Sequence, residues 1–183
     1  CGSALAEAEV EYKNKTSPSI MVKFKILDEK DFLSRGHSLG TWGEGPLSVV
    51  IWTTTPWTLP ANQAVALNPQ FEYVLTEIIT LEGKQRILMA KALLDSAMKA
   101  SEIASYKIPG SFIGEDLLNL KLKHPFYERE VPLVLSDHVT LESGTGAVHI
   151  APGHGQEDYV VGINYHLPVE NPVGDNGCFL ADT

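Results

Sequence analysis

Two stretches of the 183-residue chain carry side chains whose types and spacing could do chemistry. The first is Thr53-Thr54-Thr55-Pro56-Trp57-Thr58-Leu59-Pro60-Ala61-Asn62, which sets three consecutive hydroxyls and an amide close together. The second is Gly144-Thr145-Gly146-Ala147-Val148-His149-Ile150-Ala151-Pro152-Gly153-His154-Gly155-Gln156-Glu157-Asp158-Tyr159, which adds two imidazoles and two carboxylates, of which Asp158 is the candidate. A lip of hydroxyls can hold a polar small molecule. Asp158 falls in the first turn of an expected helix, where the helix dipole favours its ionised form. A carboxylate held in that state suits an ammonium group. Neither stretch contains a convincing Ser-His-Asp or Cys-His arrangement for a covalent nucleophile. Each stretch also has a plainer reading. The first is then a Thr-rich strand end before a Pro-braced turn, and the second a helix-start acid.

The elements that must position these groups are legible around them. Residues 47–52, Leu-Ser-Val-Val-Ile-Trp, read as a buried strand. Strand alternation puts Thr53 and Thr55 on one face and Thr54 on the other. Pro56 and Pro60 should end the ladder. In the second stretch, 147–150 reads as a short strand. Val148 and Ile150 face the core there, and Ala147 and His149 the opposite face. Residues 152–155 form a turn, and 156–165 a helix packed through Val160 and Ile163.

Elsewhere, 10–12 and Ile20–Ile26 read as strands, the second half-buried by its alternation, with a loop at 14–19. Residues 28–46 are polar and glycine-rich, and read as a loop or short hairpin. Ala64–Leu67 and 73–79 are strands, Glu82-Gly83 a hairpin turn, and 86–90 the returning strand. Residues 91–100 form a helix with Leu94, Ala97 and Met98 on its core face. From 106 to 130 the signals are short and broken by Pro109, Gly110, Gly114 and Pro125. Lys121, Lys123 and His124 there form a small basic cluster, either solvated surface or a phosphate contact. Residues 131–135 are a further strand. Many short strands, few helices and frequent turns predict a mainly β domain, a β-barrel core with peripheral α-helices, spanning 1–183.

Composition sets the outer bounds. Apolar residues make up 44% and charged residues 20%, as in an ordinary globular domain. No run approaches membrane-span length. The net charge of −9 argues against binding along a nucleic-acid duplex, though not against contact with one nucleic-acid end. Cys1 and Cys178 are too few for a disulfide framework, which fits a reducing cytoplasm. Cys1-Gly2 fits the trailing half of a C-x-x-C pair, but one thiol supports no zinc site. A start at Cys1 and a stop at Thr183 suggest a segment of a longer protein.

Together the two stretches are far more specific than either alone. The run 53–62 closely resembles the threonine-rich motif of the isoleucyl-tRNA synthetase editing (connective peptide) domain, in the class I, bacterial-like family. Residues 144–159 resemble that domain's GTGAVHxAPGHGxxDY motif. Residues 4–13 and Thr16-Ser17-Pro18-Ser19-Ile20 resemble its opening, and the resemblance covers essentially the whole chain. Valyl and leucyl relatives usually carry an arginine after the first threonines, where this chain has Thr55-Pro56-Trp57. The HIGH and KMSKS signatures of amino-acid activation are absent. The ATP site of a full-length synthetase would therefore lie elsewhere.

The resemblance implies a cytoplasmic hydrolase of protein biosynthesis. Its substrate is the ester of valine on the 3′ end of tRNA(Ile), with valyl-adenylate as a further one. A synthesis pocket sized for isoleucine cannot reject the smaller valine, and the isoleucyl enzyme is the standard illustration of that limit and of double-sieve editing. The second pocket must exclude isoleucine by overpacking. Asp158 then receives the valine ammonium, and His149 and Thr55 shape the side-chain pocket. Thr53, Thr54 and Asn62 hold the ester and terminal adenosine and help place the water. Trp57 packs beneath the lip. The implied partners are the tRNA 3′ end and the remaining synthetase domains, with the domain acting as a monomer, away from membranes, without cofactor or metal. Three other readings stay open. One is a metallohydrolase using His149, His154 and Asp158, another a non-catalytic tRNA-end module, and the third an editing domain of valyl or leucyl type.

Overall fold

A computed structural model describes residues 13, 14, 16, 18–181 and 183. The expected strand at 10–12, the segment 4–13 save its last residue, Cys1-Gly2 and Ser17 lie outside the described residues. The chain runs β1 (Ile20–Ile26), α1 (Glu29–Ser34), β2 (His37–Ser38), β3 (Leu47–Thr53), a 3-10 turn (Pro56–Ala61), β4 (Ala64–Leu67), β5 (Glu72–Thr80) and β6 (Gly83–Ala90). A short 3-10 turn (Lys91–Leu93) leads into α2 (Leu94–Ala100). Then follow β7 (Tyr106–Ile113), β8 (Lys121–Lys123), β9 (Glu130–Leu135), β10 (Ala147–Ile150) and α3 (Gln156–Asn164).

Mainly β is the class found. The described strands form one ten-stranded sheet in the order β10-β4-β9-β8-β1-β3-β6-β5-β7-β2. It is mostly antiparallel, with parallel pairs β3/β6 and β4/β9. The sheet is curled rather than closed into a barrel. Its end strands do not pair, and β10 instead lies against β3. That approach brings the two chemistry-bearing stretches together.

Alternation explains the layers. In β3, Leu47, Val49 and Ile51 enter the main core, while Val50 points to a second cluster. In β6, Leu88 and Ala90 face the main core, while Ile87 and Met89 face the second. Helix α2 covers that second cluster with Leu94, Ala97 and Met98, as its spacing predicts. A third cluster joins Ala64, Ala66, Val134 and Ile150 to Val161 of α3.

Four expectations are corrected. Residues 28–46 contain helix α1, capped by Asp28, whose carboxylate accepts the Asp31 N–H at 2.9 Å. Phe32 anchors it on Phe112, with ring centroids 4.3 Å apart. Residues 106–113 form an eight-residue strand despite Pro109. The β5/β7 register shifts between Leu75 and Glu77, and this irregularity accommodates a residue without a donor. In β10, Ala147 does not face away from the core but joins the main cluster, so both faces of that strand are covered. Finally, α3 packs through Val161 and Gly162, while Val160 and Ile163 are exposed. A Cβ on Gly162 would sit 2.8 Å from Pro152 Cγ, and so close an approach admits only glycine there.

The Gly144-Thr145-Gly146 turn is locked into this framework. Thr145 O accepts the Ala90 N–H at 2.8 Å. Gly146 O accepts the buried Tyr73 hydroxyl at 2.7 Å, and that hydroxyl accepts the Asn68 N–H at 2.9 Å. Gly144, at φ +81°, lies where a Cβ would be 3.2 Å from Trp52, the residue before the threonines.

Candidate active site

The threonine lip begins where β3 ends. Thr53 is buried, and its Oγ1 accepts the Thr55 N–H at 3.0 Å and lies 3.3 Å from Thr55 Oγ1. The Thr53 and Thr55 hydroxyls thus meet, although the strand ends at Thr53 and the turn rather than strand alternation brings Thr55 there. Thr54 and Thr55 are both exposed. Pro56 then starts the 3-10 turn, its missing N–H costing nothing at a first helical position. The turn brings Thr58 back over Thr55, whose carbonyl accepts both the Thr58 N–H (3.1 Å) and the Thr58 hydroxyl (2.9 Å).

The two stretches meet at that hydroxyl. Thr58 Oγ1 lies 3.0 Å from His149 Nε2. A threonine hydroxyl has one hydrogen, and this one goes to Thr55 O, so His149 must be the donor. The ring therefore carries its proton on Nε2. Nδ1 is left as a buried acceptor without a protein partner. Burial, and then the neighbouring His154 and His124 rings, push the His149 imidazole down to about 4. It is neutral at physiological pH and a weak base. Its bulk and its single donor are what it offers.

Asp158 is tied to the end of the same strand. Its Oδ2 accepts the Ala151 N–H at 2.9 Å, two residues beyond His149. The expected helix-dipole stabilisation of its charge does not prevail. Desolvation raises its pKa, and the Ala151 N–H and the nearby His138 and His154 rings offset this only in part. A half-buried carboxylate short of positive partners is one that an incoming ammonium would satisfy.

Other expected site residues are placed differently. Trp57 does not pack beneath the lip. It is 56% exposed and lines an open cavity of about 460 Å³ with His154, Asn171, Val173 and Phe179. Within the turn Leu59 and Ala61 are the buried residues, which leaves Trp57 on the outer side. Asn62 is fully buried, and its Nδ2 donates to Ala64 O at 2.8 Å. His124 is not part of a basic cluster but is buried beneath the lip, and Lys123 pairs with Glu128. Among the described residues no group of three His, Cys, Asp or Glu could hold a metal ion, so His149, His154 and Asp158 do not form a ligand set. No helix of the described residues is long and apolar enough to cross a membrane.

Two contributors were not singled out from sequence, Thr58 and Arg129, and a third, His124, was read only as part of a basic cluster. Thr58 was signalled by its helical spacing from Thr55. Arg129 is remote in sequence, and nothing in its local pattern marks it.

The buried rings make stability pH-dependent. Burial, opposed by the Leu59 carbonyl and aided by the Arg129 guanidinium, also pushes His124 down to about 4. The unfolded chain binds protons near 6.5 that both folded rings refuse, so stability falls as pH drops from about 6.5 to 4. The expected slope is about 1.4 kcal/mol per pH unit for each ring. Asp158 acts in the opposite sense at the acid end, because its folded form holds a proton more readily than the unfolded chain. Urea unfolding at several pH values measures the slope, and a flat profile across this window contradicts the neutral rings.

A mainly β domain that sets a hydroxyl lip against a buried neutral imidazole and a half-buried carboxylate has the architecture of a synthetase editing domain. The fold resembles the P. falciparum cytosolic leucyl-tRNA synthetase editing domain, with a TM-score of 0.65 and 14% identity over 87% of this chain and 76% of that one. The P. knowlesi counterpart gives 0.64 and 12% over 81% and 62%. The family model described as leucyl-tRNA synthetase, editing domain, matches residues 40–177, and the chain belongs to that family. Within it the sequence is of the isoleucyl type. It is 57% identical over its whole length to the isoleucine–tRNA ligase of Nitrosococcus oceani, 19% of which it covers. It is 53% identical to that of Pseudoalteromonas atlantica, covering 20% of it. The chain spans about a fifth of the length of these relatives.

Proposed function

We propose that this domain performs post-transfer editing for an isoleucyl-tRNA synthetase, hydrolysing the ester of valine on the 3′ end of tRNA(Ile), and valyl-adenylate as well. The observation that carries this reading is the 3.0 Å bond between Thr58 and His149, with Asp158 tethered at the end of the same strand. It joins the hydroxyl lip to the strand at whose end the carboxylate is held, which supports one shared pocket. The ammonium of valine pairs with Asp158. His149 and Thr55 bound the side-chain pocket, and the extra methylene of isoleucine would overpack it. Thr53 and Thr54 hold the ester and the water, with Asn62 bracing that cradle from inside. Trp57, being exposed, walls the outer side.

An aminoacyl ester is already reactive, so orientation of water and shielding of the developing oxyanion carry the chemistry. Water is the nucleophile and no protein nucleophile is required, and an imidazole that titrates near 4 is poorly matched to act as general base at neutral pH. A ribose hydroxyl of the substrate can assist the water. The domain works as a monomeric unit of the longer cytoplasmic enzyme, whose body holds the tRNA. Its charge of −9 gives it little affinity for tRNA alone.

The test is deacylation by a full-length synthetase carrying this domain, supplied with Val-, Ile- and Thr-charged tRNA. Valine release well above that of isoleucine is expected. Threonine as the preferred substrate would make this a valyl-type site, and isoleucine a leucyl-type one. No release of any would make it a tRNA-end binding module.

A further inference from the structure

The threonine lip is held from below by groups remote in sequence. A 3-10 turn leaves its last carbonyls without partners inside the turn. Here Leu59 O, which also accepts the Asn62 N–H at 3.0 Å, Pro60 O and the following Asn62 O all meet the segment after β8. Leu59 O lies 3.2 Å from His124 Nε2. Pro60 O and Asn62 O both accept from Arg129 Nη2, at 2.8 and 2.6 Å. The His124 tautomer is fixed. Its Nδ1 lies 3.1 Å from the Tyr127 N–H and 3.4 Å from the Phe126 N–H, so it must accept there and Nε2 must donate to Leu59.

The bracket is itself rigid. The Arg129 guanidinium sits 5.2 Å from the Tyr127 ring centre, and Tyr127 stacks on His124 at 4.9 Å. Glu170 Oε2 lies 3.7 Å from Arg129 Nη1 and accepts the Gln63 side-chain N–H at 2.9 Å. Residues 59, 60, 62 and 63 are thus each fixed, immediately after Thr58. A guanidinium can serve two carbonyls through one fixed planar group, which a lysine ammonium on a flexible stem does less well.

We infer that Arg129, with His124 beside it, is a positioning residue for the editing site: by pinning the carbonyls of Pro60 and Asn62 it sets where Thr58 meets His149. The proposal rests on the functional reading above. Arg129 touches no reacting atom. It acts through the turn, where a displacement of an ångström would undo the alignment of hydroxyls, water and ester.

The experiment pairs a kinetic and a spectroscopic measurement on Arg129→Met and Arg129→Lys. In a full-length synthetase, Arg129→Met should lower kcat for Val-tRNA(Ile) hydrolysis about 10- to 100-fold while leaving KM within about threefold, the signature of lost alignment rather than lost binding. Arg129→Lys should fall between the two, and millimolar guanidinium should restore part of the Arg129→Met activity. In the 183-residue chain, ¹⁵N NMR should find the His149 ring as the single Nε2–H tautomer in the parent and as a mixture in Arg129→Met. Should Arg129→Met not fold, Glu170→Gln, at an exposed partner, should give a weaker form of the same two effects. A folded variant with unchanged kcat and an unchanged His149 tautomer would overturn the inference. A parent without deacylase activity whose His149 tautomer still depends on Arg129 would sink the functional reading and leave the positioning role standing.

Discussion

Asp158→Asn in the full-length synthetase is expected to lower hydrolysis of Val-tRNA(Ile) by about 10- to 100-fold. A hydrogen bond to a charged group contributes about 1.5–3 kcal/mol, and each 1.4 kcal/mol is a factor of ten. Asparagine keeps the size of the side chain and an oxygen able to accept the Ala151 N–H, so α3 and the end of β10 should stay in place. What it lacks is the negative charge. The loss should therefore fall on the substrate's ammonium and appear in kcat/KM. The same change should stabilise the folded domain slightly, because it removes a charge that is costly to bury. A variant with unchanged deacylation would remove Asp158 from the mechanism. A variant that is both inactive and unfolded would assign it to the fold alone.

His149→Ala should convert the domain from one that spares isoleucine into one that removes it. The imidazole is buried, held through Nε2, and flanked by the main core, so it cannot swing aside to admit a larger side chain. Forcing one extra methylene into such a site costs about 1–3 kcal/mol. Relief of that cost should raise Ile-tRNA(Ile) hydrolysis about tenfold or more, towards the rate for valine. Valine hydrolysis should change less, because the ring titrates near 4 and is poorly suited to carry protons in the reaction. A synthetase bearing this change should consume ATP while failing to accumulate Ile-tRNA. Continued protection of Ile-tRNA would place the sieve elsewhere, with Thr55 the next candidate.

The strands were legible wherever alternation, or a nearly unbroken apolar run, was long and clean. Ile20–Ile26 and the 73–90 hairpin repeat an apolar face over several residues, 47–52 is such a run, and each is found. Helix α1 was not legible, because six residues hold too few turns for a period to show. In α3 the apolar residues surround the helix almost evenly. The face that packs is marked by Gly162, whose lack of a side chain permits contact with Pro152, and counting apolar mass points instead to Val160 and Ile163. For Asp158, position in the first helical turn was visible in sequence, but the desolvation that outweighs it depends on tertiary burial. The candidate site shows the same division. Its residues from the two motifs were visible as chemistry. That Thr58 rather than a more prominent threonine meets His149, and that His124 and Arg129 brace it, follows from long-range contacts without a local signal.

The most direct test of the account is an experimental structure of the domain bound to a non-hydrolysable valyl-adenosine mimic. The account predicts the amine within hydrogen-bond distance of Asp158, the two valine methyls against His149 and Thr55, and the ester surrogate on Thr53 and Thr54. A mimic lodged on another face, with its amine remote from residue 158 and the hydroxyl lip empty, would contradict it.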